Sequence, residues 1–151
     1  MIITSADVTI SRVLGVDVGE RRVGLAISDP SCTLARPLTT IAVRGLGDAV
    51  DRVAAVVAEL AAEADGLARI VVGVPRRLDG TESEATARSA EFIAGLQQRT
   101  RLPIATEDER LSSREAERRL AVRERDWRKR KARLDAAAAA VILQDYLDRS
   151  Q

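Results

Sequence analysis

The 151 residues balance 24 lysines and arginines against 23 acidic residues for a net charge of +1, with 46% hydrophobic content, a single cysteine and no histidine. That size and apolar share suit one domain with a sizeable core. An internal disulfide, thiolate–imidazole metal sites and histidine-dependent acid–base chemistry are excluded, so any metal must be held mainly by oxygen.

The start, "MIITSADVTISR", lacks the basic and apolar regions of a signal peptide, and no apolar run reaches membrane-spanning length. The expected place is therefore the cytoplasm, with no membrane partner. Residues 1–11 read as a flexible leader, and 12–151 as one domain without repeats or linkers. In "VLGVDVGERRVGLAISD", Leu14, Val16 and Val18 alternate with Val13, Gly15 and Asp17, while Val23, Leu25 and Ile27 alternate with Gly24, Ala26 and Ser28. Two strands joined by a short "GERR" hairpin are predicted. A third strand is expected in "RPLTTIAV", at a sheet edge because Pro37 cannot donate to ladders on both sides.

Val50, Val53, Val57, Leu60 and Ala64 then fall on a helical stripe, and the apolar run "IVVGV" suits a strand covered on both faces. Thr81 with Glu84 is a capping-box signature for the next helix, whose apolar side is Phe92, Ile93 and Leu96. "LPIATEDE" reads as a fifth strand, and Ser112 with Glu115 starts another helix. After a basic stretch, "RLDAAAAAVILQDYLDRS" forms the last helix, with Asp135 in its first turn and Asp135, Ala138, Ala139, Ile142 and Tyr146 on one stripe. The fold class is α/β: three antiparallel strands, then two right-handed βαβ crossovers, giving a five-stranded mixed sheet flanked by helices.

Ligand sites in such open sheets lie beyond the carboxyl ends of the strands where the winding direction reverses, here between the first strand and the fourth. Asp17 falls at that edge. The fifth strand brings Glu107, Asp108 and Glu109 to the same rim, and the last helix can lay Asp135 across it. Clustered carboxylates raise one another's pKa, and a hard divalent cation, Mg²⁺ or Mn²⁺, relieves that cost. Taken singly, Asp135 reads better as a carboxylate complementing a helix N-terminus; convergence of the acids on one edge tips the balance to a metal site.

Between Arg114 and Arg133 basic residues outnumber acidic ones by ten to four, with Trp127 among them. Beside an active edge, Arg128, Lys129, Arg130 and Lys131 suit a phosphate-tracking arm. Arg21, Arg22, Arg76, Arg77 and Arg110 are further candidates to hold phosphates, each with a plain surface-charge reading beside it.

The segments "GVDVGERRVGLAISDP", "IVVGVPRRLDGTESE", "DERLSS" and "RKRKARLDAAAAAVILQDYLD" resemble the YqgF family, also called RuvX, from about Arg12 to Arg149. The resemblance implies an RNase H-like fold, a divalent-metal-dependent nuclease, and a role in processing the end of pre-16S ribosomal RNA, with structured RNA or branched DNA and a ribosome precursor as partners. The family's acids fall on Asp17, Glu109 and Asp135, with Asp108 as an alternative ligand and Arg110 beside them. Two ions about 4 Å apart, bridged by Asp17, would then serve an in-line displacement at phosphorus. A binding module with vestigial chemistry and a Holliday junction resolvase are the competing readings. An actin-like or sugar-kinase ATPase is disfavoured, because that architecture needs two such lobes.

Overall fold

The computed structural model describes residues 11–76, 79–108 and 127–150, with side chains from 135 onward in the last stretch. Among these, strands β1 (Arg12–Val18), β2 (Arg22–Ser28), β3 (Ala35–Ala42), β4 (Leu67–Val74) and β5 (Ile104–Asp108) form one sheet in the order β3-β2-β1-β4-β5. β1–β2 and β2–β3 are antiparallel, whereas β1–β4 and β4–β5 are parallel. The predicted mixed sheet is therefore observed, with its reversal of winding between β1 and β4. Pro37 lies in the outermost strand, opposite Ala26 and next to a register shift after Leu25.

Strand alternation divides the core in two. Leu14, Val16, Val18, Val23, Leu25, Ile27, Ile70 and Val72 pack on one face with α1 (Leu46–Ala62) and α2 (Glu84–Gln97). On the other face Val13, Ala26 and Val71 pack against Ala139, Ile142, Leu143 and Leu147 of α3 (Trp127–Ser150). The run around β4 is apolar throughout because both its faces are covered. Each fully buried Leu or Ile contributes about 1.5–3 kcal/mol.

The α1 stripe is as predicted over Val50, Val53, Val57 and Leu60, but Ala64 lies past the helix end and is exposed. Arg12 ties that end to β1: its guanidinium donates to the carbonyls of Leu60 (3.1 Å) and Gly66 (3.0 Å) and to Glu63 (2.9 Å). At α2 the expected Thr81–Glu84 box is replaced by one built from Ser83 and Thr86. Asp79 takes both the backbone N–H and the hydroxyl of Thr81, so the helix starts two residues later. Ser83 Oγ accepts from the Thr86 N–H (3.3 Å), and Thr86 Oγ1 accepts from the Ser83 N–H (2.9 Å).

The last helix also differs from expectation. It begins at Trp127, so the backbone of Arg128–Lys131 is helical and continuous with the alanine-rich segment. Asp135 consequently sits more than two turns inside α3, and its reading as an N-terminal dipole partner falls away. Near the other end Gln144 accepts from the Ala35 N–H and donates to the Thr33 carbonyl, both at 2.9 Å, which ties α3 to the start of β3. The proposed helix from Ser112 lies outside the described residues. Cys32, read as a small apolar residue near a turn, is half-buried with φ 57° and donates to the Ser11 carbonyl.

Candidate active site

Two glycines let α3 reach the sheet. A Cβ at Gly15 would lie 2.8 Å from Leu143 Cβ and 3.1 Å from the Ala139 carbonyl oxygen, and one at Gly24 would overlap the backbone of Asp135. Gly24 is the antiparallel partner of Asp17. The missing side chain at position 24 thus seats Asp135 beside Asp17 at the carboxyl end of β1. The hairpin that follows is tight: Gly19 N–H donates to the Arg22 carbonyl at 2.9 Å, and a Cβ on Gly19 would approach that oxygen to 2.6 Å.

Asp17 is partly buried, and its pKa is pushed from 3.8 to about 7, first by loss of solvent and then by the negative charge of Asp135. Among the described residues no donor reaches its carboxylate. A structural role as an acceptor of backbone N–H groups is therefore unsupported. Asp135 accepts a 2.7 Å hydrogen bond from Arg22 Nε, with side-chain exposures of 32% for Arg22 and 26% for Asp135. At that exposure the pair is partly screened and serves orientation more than stability.

The fifth strand settles which of Glu107 and Asp108 lies on this face. Glu107 pairs with Gly73, one step beyond the Val16–Val72 pair, so Gly24, Asp17, Gly73 and Glu107 form one row across the α3 side of the sheet. Glu107 is buried and meets the Arg149 guanidinium. Two strand spacings, about 10 Å, separate its backbone from that of Asp17. Asp108 alternates to the α1–α2 side at the exposed strand end. Glu109, Arg77 and Arg110 lie outside the described residues.

Of the cationic candidates, Arg22 and Gly24 share the α3 face, because Val23 between them enters the opposite core. Arg21 is exposed on the hairpin, and Arg76 is exposed 4.0 Å from Glu82. Arg128, Lys129, Arg130 and Lys131 ride the first turns of α3, upstream of Asp135.

The chemistry of the donor set fits a hard cation. Asp17 and Asp135 are oxygen donors of like charge, one of them desolvated and without a hydrogen-bond donor, and a divalent ion removes the repulsion between them. Among the described residues no third acidic side chain joins this pair.

Comparison with known proteins gives this edge its context. A family model described as "RuvX: Holliday junction resolvase" matches residues 11–149. The chain belongs to the RuvX family. It is similar to a protein of Anaeromyxobacter dehalogenans (strain 2CP-C), 42% identical over 138 residues, 91% of this chain and 97% of the relative. Another relative, from Chloroflexus aggregans (strain MD-66 / DSM 9485), is 40% identical over 136 residues, 90% of this chain and 92% of the relative. Both carry the name "Putative pre-16S rRNA nuclease". Among solved structures, T. thermophilus RuvC in complex with a Holliday junction substrate aligns with TM-score 0.52 and 16% identity over 93% of this chain and 95% of that one, a likeness of fold. As a RuvX protein with an RNase H-like sheet, the chain is a nuclease, a hydrolase of phosphodiester bonds.

Proposed function

We propose that this nuclease acts with Mg²⁺ or Mn²⁺ on structured RNA, at the end of pre-16S rRNA in a ribosome precursor, in the cytoplasm. The observation that carries the proposal is the Asp17 carboxylate, desolvated, lacking a donor among the described residues and set against Asp135 at the switch-point edge. Asp17 and Asp135 would hold the metal, with Glu109 as the third acid on the family pattern; Asp108, on the opposite side of β5, is the weaker alternative. When bound, such ions activate a water and stabilise the departing 3′ oxygen of an in-line displacement.

The chain's own groups supply the rest. Asp17 must give up its proton, which its surroundings hold until about neutral pH. Asp135 is held in place by Arg22 and by the seat at Gly24. The cations at 128–131 would track the backbone of the nucleic acid without reading its sequence. The active unit is a single domain from Arg12 onward, with the leader 1–11 outside it.

The test is cleavage of a structured pre-16S rRNA end and of a four-way DNA junction, side by side, by the wild type and Asp17→Asn in Mg²⁺ and Mn²⁺. The proposal expects metal-dependent cutting of the RNA by the wild type and none by the variant. Preferential cutting of the junction, the substrate class in the family's description, would replace RNA with branched DNA. Absence of both cutting and Mn²⁺ binding would leave a docking module.

A further inference from the structure

We propose that Arg22 is a substrate-contacting residue of this nuclease: its Nε holds Asp135 while its two Nη amino groups bind a non-bridging oxygen of the phosphate being cut. This rests on the nuclease reading of the Asp17–Asp135 edge. Its ground is the position of Arg22, which separates it from every other described arginine.

Arg22 opens β2, where its backbone is fixed on both sides. Its carbonyl accepts from Gly19 across the hairpin, and its Cα is registered opposite Ala42 of β3. Strand alternation aims its side chain to the face that carries Asp17, Gly24 and α3. Nε lies 2.7 Å from Asp135 Oδ2.

A guanidinium carries five N–H donors in a rigid plane, and one is committed here. Among the described residues the other four have no protein acceptor, although the side chain is only about one-third exposed at 32%. A planar donor set of this kind matches phosphate oxygens, and the paired carboxylate fixes the plane before substrate arrives. Other arginines lack this combination. Arg21 is exposed on the hairpin, Arg12 spends its donors on Leu60, Gly66 and Glu63, and Arg149 meets Glu107. No covalent step is assigned to Arg22; it would neutralise charge that grows on the phosphate oxygens as the bond breaks.

Orientation of Asp135 and contact with phosphate are separable by experiment. Arg22→Gln and Arg22→Lys would be compared with the wild type in three measurements. The first is Mn²⁺ affinity by calorimetry without nucleic acid. The second is kcat and KM for RNA cleavage at saturating Mn²⁺. The third is the slope of log Kd against log salt for binding a structured RNA in Ca²⁺ under conditions where nothing is cut.

If Arg22 touches phosphate, the loss of turnover persists once Mn²⁺ saturates the site, whatever the loosening of Asp135 does to Mn²⁺ affinity in the variants. Turnover at saturating Mn²⁺ falls about 10- to 100-fold in both, as expected for loss of a charged hydrogen bond and of the planar fork. The salt slope of Arg22→Gln falls by about one, whereas that of Arg22→Lys stays close to wild type. Turnover restored by excess Mn²⁺ with an unchanged salt slope would overturn the proposal and leave Arg22 as a holder of Asp135. A wild type that binds the RNA with a slope matching Arg22→Gln but neither binds Mn²⁺ nor cuts would overturn both this inference and the nuclease reading.

Discussion

Replacing Asp17 by Asn without metal should stabilise the protein, increasingly so as the pH rises. Asp17 has its pKa raised from 3.8 to about 7 in the folded chain, so the folded state binds more protons than the unfolded one between those values. Stability from this group is therefore present at low pH and is lost as pH rises toward neutrality. Asn keeps the shape, carries no charge at any pH and does not share that loss. At about 1.4 kcal/mol per pH unit the interval corresponds to roughly 4 kcal/mol, and solvent at the open rim returns part of it, leaving about 2–4 kcal/mol above neutral pH. For a domain of this size the gain is a rise in Tm of about 5–15 °C. The assay is thermal melting of both proteins in EDTA at several pH values between about 4 and 8. The two curves should nearly meet at the acid end and separate steadily to neutral pH. A variant that melts earlier at pH 8, or an offset that does not change with pH, would refute the account of Asp17 as a desolvated metal ligand.

The same proton would govern activity if Asp17 holds the metal. With Asp17 as a ligand, cleavage at subsaturating Mn²⁺ should rise about tenfold per pH unit below neutrality and level off near pH 7, a profile read directly from initial rates. Metal should raise the melting point of the wild type by an amount equivalent to about 2.7 kcal/mol at a hundredfold excess over Kd, and should do little for Asp17→Asn. Gly24→Ala puts a methyl group into the backbone of Asp135; a loss of about 1–3 kcal/mol in denaturant melts, together with loss of Mn²⁺ binding, is expected. Exchanging Arg128, Lys129, Arg130 and Lys131 for Gln should lower the salt slope of RNA binding by up to about four, with Mn²⁺ affinity unchanged.

The sheet was legible because period-two alternation survives in the strands themselves. Val13 to Val18 and Val23 to Ile27 divide between two cores as their spacing predicts. Asp17 was legible for the same reason, being a carboxylate at the end of an otherwise apolar strand. The helix starts were harder. Thr81 and Glu84 have the spacing of a capping box, but Asp79 competes for Thr81, while the box that forms uses Thr86 where the usual signature has Glu or Gln. Arg128 to Lys131 read as an arm by charge, yet nothing in those four residues breaks a helix, so α3 runs through them. What Gly24 and Arg22 do to Asp135 is not legible in the sequence, because that partner lies more than a hundred residues away. A glycine in a strand shows no sign in the sequence of the backbone that will lie over it.

The amide of Gln144 bears on the placement of Asp135, although the two lie well apart. Along the sheet, α3 is anchored by Ile142, Leu143 and Leu147, while its alanines and the glycines beneath them allow close approach. Gln144 adds a polar clasp to that packing, on the backbone at Thr33 and Ala35. Asp135 lies nine residues up the same rigid rod, about 13 Å away at the rise of an α-helix. The place of Asp135 over the sheet is thus set at two points of one rod, by its own seat at Gly24 and by a neutral side chain about 13 Å further along.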